Sequence, residues 1–310
     1  MNPAMILTAL DGSNPLAFLA AIGTLRLLHL HDPNGPYTLR WIRQGVWNPE
    51  LCGVTEREDE LCERLHRVSK ENLPAETFVA VLGKNITVDQ KTFAEFVRTA
   101  FECVGSRDRA MADFAAALGS EICKQERKDR IEYTDLCFIT GSGHQHFLGT
   151  MAALNENVTP QHIYDALFGV WNKSKGFSMR WDPADAAEYA FRWSDPSQEG
   201  ASSVWGANLL GIHALPLFPS QPTETGLQTT GFRSGARGEW PEFSWPIWTH
   251  SVGLDSVSSL LSMADLQQPE TDIDHRRLKA FGIEEVYRAP RVRIGQGANF
   301  KVSFRPARAV

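Results

Sequence analysis

Hydrophobic and polar positions along the first half of the chain switch between two periods. Residues 15–31, "PLAFLAAIGTLRLLHLH", form an almost unbroken apolar run that predicts a buried helix, with Ser13 or Asn14 as its N-cap and Pro15 at its first position. Short alternating stretches at 6–9 and 37–42 predict flanking strands, and 56–69 predicts a charged helix. The segment "ETFVAVL" (76–82) suits a half-buried strand. Phe93, Phe96, Val97, Ala100 and Phe101 fall at i, i+3, i+4, i+7 and i+8, the stripe of an amphipathic helix. A helix over 109–123, the hydrophilic run "KQERKDR" (124–130) and a buried strand in "YTDLCFITG" follow, with Gly141 and Gly143 closing the strand before a helix at 144–154.

Beyond Val158 the texture changes. "TPQHIYDALFGVW" reads as a capped helix, after which aromatic and Pro-rich segments dominate; seven of the nine tryptophans lie between Trp171 and Trp248. A soft boundary at 155–159 separates lobes 1–155 and 156–310, one continuous core being the alternative. The second lobe carries a helix at 204–215, a Pro-rich connection to about 230, the segment "SWPIWTH" and helices at 254–263 and 274–281. It ends in a hairpin: "EEVYRAPRVRI", a "GQGAN" turn whose Gly295, Gly297 and Asn299 can take positive φ, then "FKVSF". The expected class is α+β, an alternating strand/helix lobe followed by an aromatic-rich lobe with a basic C-terminal hairpin.

Composition narrows the setting. With 310 residues and 43% hydrophobic content, the chain fills a substantial core. Five cysteines (Cys52, Cys62, Cys103, Cys123, Cys137) make an odd set without a CxxC pair, which argues against a disulfide framework or zinc ribbon and for a reducing cytoplasm. The first ten residues hold no Lys or Arg, and Asp11, Gly12 and Asn14 break the apolar run, so no secretory signal is expected. Arg26 and His29 likewise interrupt it before a bilayer-spanning length, and no membrane partner is expected.

The net charge of −6 opposes indiscriminate nucleic-acid binding, yet six basic residues from position 287 onward (Arg288, Arg291, Arg293, Lys301, Arg305, Arg308) face no acid in that stretch. With Gly295 and Gly297 permitting close approach, and Phe300 and Phe304 nearby, the hairpin suits a phosphate backbone or an unstacked base. The competing reading pairs these arginines with acids elsewhere. Lys124, Arg127 and Lys128 form a second basic set, diluted by Glu126 and Asp129 into what reads first as a solvated helix face rather than a nucleic-acid contact.

Two further motifs deserve weighing. "TGSGHQHFLG" (140–149) places Gly141, Gly143, His144 and His146 between a strand and a helix, where free backbone N–H groups can hold an anion. It lacks the Lys and Ser/Thr of a phosphate loop, and its histidines have no third ligand at metal spacing, so neither metal nor cofactor is expected. In "SMRWDPADAAEYAFRW" (178–193), Arg180, Asp182, Asp185 and Arg192 compose a possible catalytic acid set, but strand, Asx-Pro turn and strand around a buried Trp is the simpler reading.

"LDGSNPLAFLAAIGTLRLL" (10–28) resembles the N-terminal signature of the CRISPR-associated large-subunit proteins of type I-U (I-G) systems. "SMRWDPADAAEYAFRW" and "GANLLGIHALPLFP" (206–219) resemble the small-residue helices and Trp-Asp-Pro turns of the same proteins. The resemblance implies a non-catalytic subunit of a Cascade-like RNA-guided complex, with other CRISPR-associated subunits, crRNA and target DNA as partners and cleavage supplied by a separate helicase-nuclease. In such complexes guide pairing reads sequence, while protein can read a short flanking motif in a groove. The matching motifs are packing motifs: Gly23 is expected to let the helix lie close on the first strand, with Ala17, Ala20 and Ala21 keeping the contact thin. Two rivals stand beside this reading. One is a small hydrolase or nuclease around His144 and His146; the other is a protein-binding scaffold whose Trp-rich half is an interface.

Overall fold

Asn14 sets the start of the first helix, α1 (Pro15–His31). Its side-chain oxygen accepts the backbone N–H of Leu16 at 2.9 Å and of Ala17 at 3.3 Å, and Pro15 brings no donor to satisfy. Every residue from Pro15 to Leu28 is buried, so α1 is a core rod rather than an amphipathic surface helix. The computed structural model describes residues 3–106, 109–125, 128–139, 145–187, 202–233, 241–294 and 301–310. Arg127, Gly141, Gly143, His144, Arg192, Gly295, Gly297 and Phe300 lie outside the described residues.

Strands β1 (Ala4–Ile6), β2 (Thr38–Gln44) and β3 (Val46–Cys52) make an antiparallel sheet in the order β1-β3-β2. Gly45, at φ 80°, supplies the left-handed turn between β2 and β3. Helices α2 (Glu58–Glu71), α3 (Ala75–Leu82), α4 (Gln90–Glu102) and α5 (Ala110–Leu118) follow, then a β4 (Gly119–Lys124)–β5 (Ile131–Tyr133) hairpin, α6 (Phe147–Asn157) and α7 (Pro160–Leu167). Next come β6 (Ser174–Lys175), α8 (Pro183–Ala187), β7 (Ser202–Ser203), α9 (Trp205–Ile212), and the hairpin of β8 (Ser220–Thr223) with β9 (Gly226–Thr229). The chain closes with β10 (Phe232–Arg233), β11 (Glu242–Trp248), α10 (Leu254–Leu261), α11 (His275–Ala280), β12 (Ile283–Ile294), β13 (Lys301–Phe304) and β14 (Arg308–Ala309). The last sheet is antiparallel in the order β10-β11-β12-β13, with β14 also on β12. The fold is α+β.

Four local expectations are corrected. Residues 76–82 are helical, because Ala75, Phe78 and Leu82 fall on one helical face and are buried there, while the β-branched Val81 that suggested a strand is 41% exposed. Residues 119–123 leave the preceding helix for β4, and the "KQERKDR" run crosses over to β5, with the Gln125 N–H donating to the Arg130 carbonyl. The stretch after Tyr133 is buried without a ladder. Its Leu136 carbonyl accepts the Trp181 indole N–H (3.0 Å), its Cys137 carbonyl accepts Arg291, and the Thr229 hydroxyl accepts the Asp135 N–H, so side chains replace a partner strand. Similarly, Asp182 opens a helix rather than a strand, its Oδ1 accepting the Ala184 N–H.

Phe18 joins the two halves of the chain. Its ring lies 5.7 Å from Trp41, 5.9 Å from Trp245 and 6.3 Å from Trp248, while the Trp245 and Trp248 indoles donate to the carbonyls of Gly12 and Leu39, both at 2.8 Å. Leu39 and Val252 exchange backbone hydrogen bonds between β2 and the segment after β11. One apolar cluster runs from Leu7 to Phe304, so the residues on either side of 155–159 share a core.

The close contact at Gly23 is with α9, not with the first strand: a Cβ built there would lie 1.9 Å from the Leu210 carbonyl oxygen. Gly23→Ala is therefore expected to destabilise the fold by about 1–3 kcal/mol, whereas the same change in an exposed helix stabilises by roughly 0.8–1 kcal/mol. Chemical denaturation of the variant beside the parent gives the sign directly.

Candidate nucleic-acid interface

The antiparallel register of the last sheet brings separate basic segments to one end. Glu242 pairs with Pro290 and Arg233 with Glu242, so the end of β10, the start of β11 and the far part of β12 are neighbours. There Arg233, Arg293, Arg305 and Arg308, with Glu242 and Glu270, line a cleft of about 640 Å³. Glu242 is its organising group. Its carboxylate lies 3.0 Å from Arg308, 3.5 Å from Arg233 and 4.0 Å from Arg288, and Glu270 approaches Arg308 at 3.7 Å.

The six C-terminal basic residues thus divide by environment. Arg288 is fully buried, donating to the Ser244 hydroxyl (2.9 Å) and to the carbonyls of Leu266 (3.0 Å) and Gln268 (2.9 Å). Burial pulls its guanidinium below the ordinary arginine value, with Glu242 opposing, and this side chain is withdrawn from the surface. Arg291 turns inward to Asp135 at 3.1 Å and the Cys137 carbonyl at 3.2 Å, over the Phe138 ring. Burial raises the Asp135 carboxyl and Arg291 opposes that rise. Arg293, Arg305 and Arg308 remain at the cleft, and Lys301 stands opposite Ile294 at the start of β13. Phe304 is no stacking platform: it is buried, 4.6 Å from Phe138 and 5.6 Å from Phe243.

Beside the cleft, the hairpin abuts the two other segments that the sequence marks. The Ser303 hydroxyl donates to the Arg180 carbonyl (3.4 Å), and Arg180 donates to the Gln145 side chain (2.8 Å) at the edge of the Gly-rich stretch. Arg180 holds φ 63°, a left-handed conformation that a non-glycine residue adopts at a cost. His146 accepts the Asn85 amide N–H at Nδ1 (2.9 Å), which leaves the proton of the neutral ring on Nε2. Of the donors expected to hold an anion, those described are occupied: the N–H of Phe147 meets the Asn85 side chain, and those of Leu148 and Gly149 meet the Lys84 carbonyl. Lys124 pairs with Asp129 at 2.7 Å, and Lys128 is exposed near the β4–β5 turn.

The carboxylates of the Trp-Asp-Pro segment are used internally. Buried Asp182 accepts the Asn14 amide (2.9 Å), tying the α1 cap to α8. Asp185 accepts the Ser178 hydroxyl (2.9 Å) and faces Lys173 at 3.1 Å. Among the described residues no group of three His, Cys, Asp or Glu side chains is placed to hold a metal ion, and no helix is long and apolar enough to cross a membrane. No protein-family model and no curated protein matches the chain.

Arg233, Glu242 and Glu270 escaped the sequence reading because each lies outside the hairpin, among charges of both signs that mark no cluster. The available signal was their position: Arg233 precedes a Gly-rich connection and Glu242 opens an aromatic strand.

Burial and the nearby Asp182 push the Asp185 carboxyl from 3.8 up to about 7. A carboxyl raised on folding binds its proton more tightly in the folded state. Its stabilising contribution is complete below about pH 4 and disappears as pH rises to about 7. The stability of the parent relative to Asp185→Asn is therefore expected to fall between pH 4 and 7 and to level off outside that window, as measured by denaturation across a pH series.

Proposed function

We propose that this chain is a non-catalytic, cytoplasmic subunit of a type I CRISPR RNA-guided surveillance complex that contacts crRNA or target DNA through the end of its C-terminal sheet. The observation that carries the reading is the cleft where four arginines meet two glutamates in a protein of net charge −6. Concentrated positive charge on an otherwise acidic surface attracts phosphates locally without making the whole chain a nonspecific binder. The N-terminal helix adds the resemblance to type I-U (I-G) large-subunit proteins, and its buried, capped build gives it a packing role. Partner subunits then supply the rest of the phosphate neutralisation, and guide pairing supplies sequence specificity.

The test is co-expression with the neighbouring CRISPR-associated subunits and crRNA, followed by target-DNA binding across a salt series. The Arg293→Ala, Arg305→Ala double variant is expected to assemble normally and to bind more weakly, flattening the slope of log K against log[salt] by roughly 0.7–0.9 per lost phosphate contact. Assembly with an unchanged slope favours the protein-binding scaffold. A turnover activity lost on His146→Ala favours the hydrolase.

A further inference from the structure

We infer that the cleft at the end of β10, β11 and β12 is a binding site for the sugar-phosphate backbone of a single nucleic-acid strand, with the Glu242 carboxylate holding the phosphate position until a strand displaces it. The inference takes its ligand class from the function proposed above and adds the form of the ligand and the group that regulates access.

Glu242 sits among Arg233, Arg288 and Arg308, within 3.0 to 4.0 Å of each. An oxyanion surrounded by guanidinium groups is the donor arrangement a phosphate requires, so the carboxylate preorganises the arginines around an anion before any ligand arrives. The donors are not exhausted. Arg308 is 48% exposed at its side chain, and the Arg305 guanidinium, also exposed, makes no ion pair among the described residues. The buried Arg288, which does not line the cleft, braces Glu242 from inside at 4.0 Å. An incoming phosphate meets unspent positive charge at Arg305 and competes with the carboxylates of Glu242 and Glu270.

The cleft selects a strand over a duplex by its shape and lining. Its volume of about 640 Å³ lies in the range of small-ligand pockets, roughly 300–1,000 Å³, and suits one or two nucleotide units. A duplex presents its phosphates on a broad convex surface, whereas an extended single strand can follow the residues that line the cleft. Pro269, Pro290 and Val292 give the lining apolar area, and among the described residues no aromatic ring lines it. The described lining thus offers a strand guanidinium groups for its phosphates and base faces, a contact tolerant of sequence and sensitive to salt.

Fluorescence anisotropy with the full-length chain tests this, using a labelled oligothymidylate, a duplex of equal length and unlabelled inorganic pyrophosphate as competitor. The expected result is binding of the single strand in preference to the duplex, weakened at least severalfold in Arg305→Ala. Glu242→Gln is expected to tighten strand binding about 3–10-fold, the effect of removing one nearby negative charge at a partly screened site. Glu270→Gln, at an exposed position, is expected to tighten it less, and keeps the test open if Glu242→Gln fails to fold. Displacement of the bound strand by excess pyrophosphate is expected, since both present phosphates; no binding of the labelled strand overturns the strand assignment. Equal binding of the duplex, or weakened binding in both glutamine variants, overturns the inference as well. Strand binding by a chain that does not assemble with CRISPR-associated subunits sustains the site and removes the complex. Normal assembly and target binding, unaffected by cleft variants, does the reverse.

Discussion

A helix with no face toward solvent constrains everything around it. From Pro15 to Leu28 each side chain of α1 is buried, so its termini, its one charge and its closest neighbour all need dedicated partners inside the protein. Asn14 meets the first free N–H groups and is itself held by Asp182, 168 residues away. Arg26, 4% exposed at its side chain, is neutralised by Asp113 at 3.0 Å, although burial still pulls its guanidinium below the ordinary value. His213 lies fully buried in the same region, and burial with the nearby Arg26 pushes its ring down to about 3, so it stays neutral at physiological pH. Removing one partner here leaves a stranded polar group, which costs more than the hydrogen bond itself contributed.

Charge at the other end of the fold follows a different logic. The C-terminal stretch has no acid in sequence, but folding delivers Asp135, Glu242 and Glu270 to it from outside. Two of its six basic groups, Arg288 and Arg291, are spent on joining the sheet to its surroundings; the others stay near the surface. Inward-turned and surface arginines thus lie within a few residues of one another on β12. Counting positive charges in the sequence cannot separate them, because the distinction depends on which neighbour each guanidinium reaches.

How much of this is legible in sequence depends on whether the deciding interaction is local. The extent of α1 follows from its own residues, with the Asn-Pro start and the apolar run sufficient to bound it. The C-terminal hairpin is legible for the same reason, as alternating residues on either side of a Gly-rich turn. By contrast, 76–82 is rich in β-branched residues and yet helical, since what decides it is the packing of Phe78 against Phe96 and Phe114. Strand β3 went unread because Pro49 interrupts it. In the sheet, Pro49 lies just past the paired part of β1, and its carbonyl accepts the Leu7 N–H. The cleft is the least legible feature: it exists only through the pairing of β10, β11 and β12.

The indole of Trp245 that closes over Gly12 comes 233 residues later in the chain. During synthesis at about 5–20 residues per second, the buried helix α1 therefore emerges roughly 10–50 s before Trp245 and Trp248, which cover it. In that interval the local β2–β3 hairpin can bring Trp41 onto Phe18, but α9, Trp245 and Trp248, which cover the rest of α1, all belong to the later part of the chain. The contacts that complete the core around α1 thus close only after Trp245 and Trp248 have been made, and a pause in synthesis between Leu28 and Trp205 would lengthen the exposure of the helix.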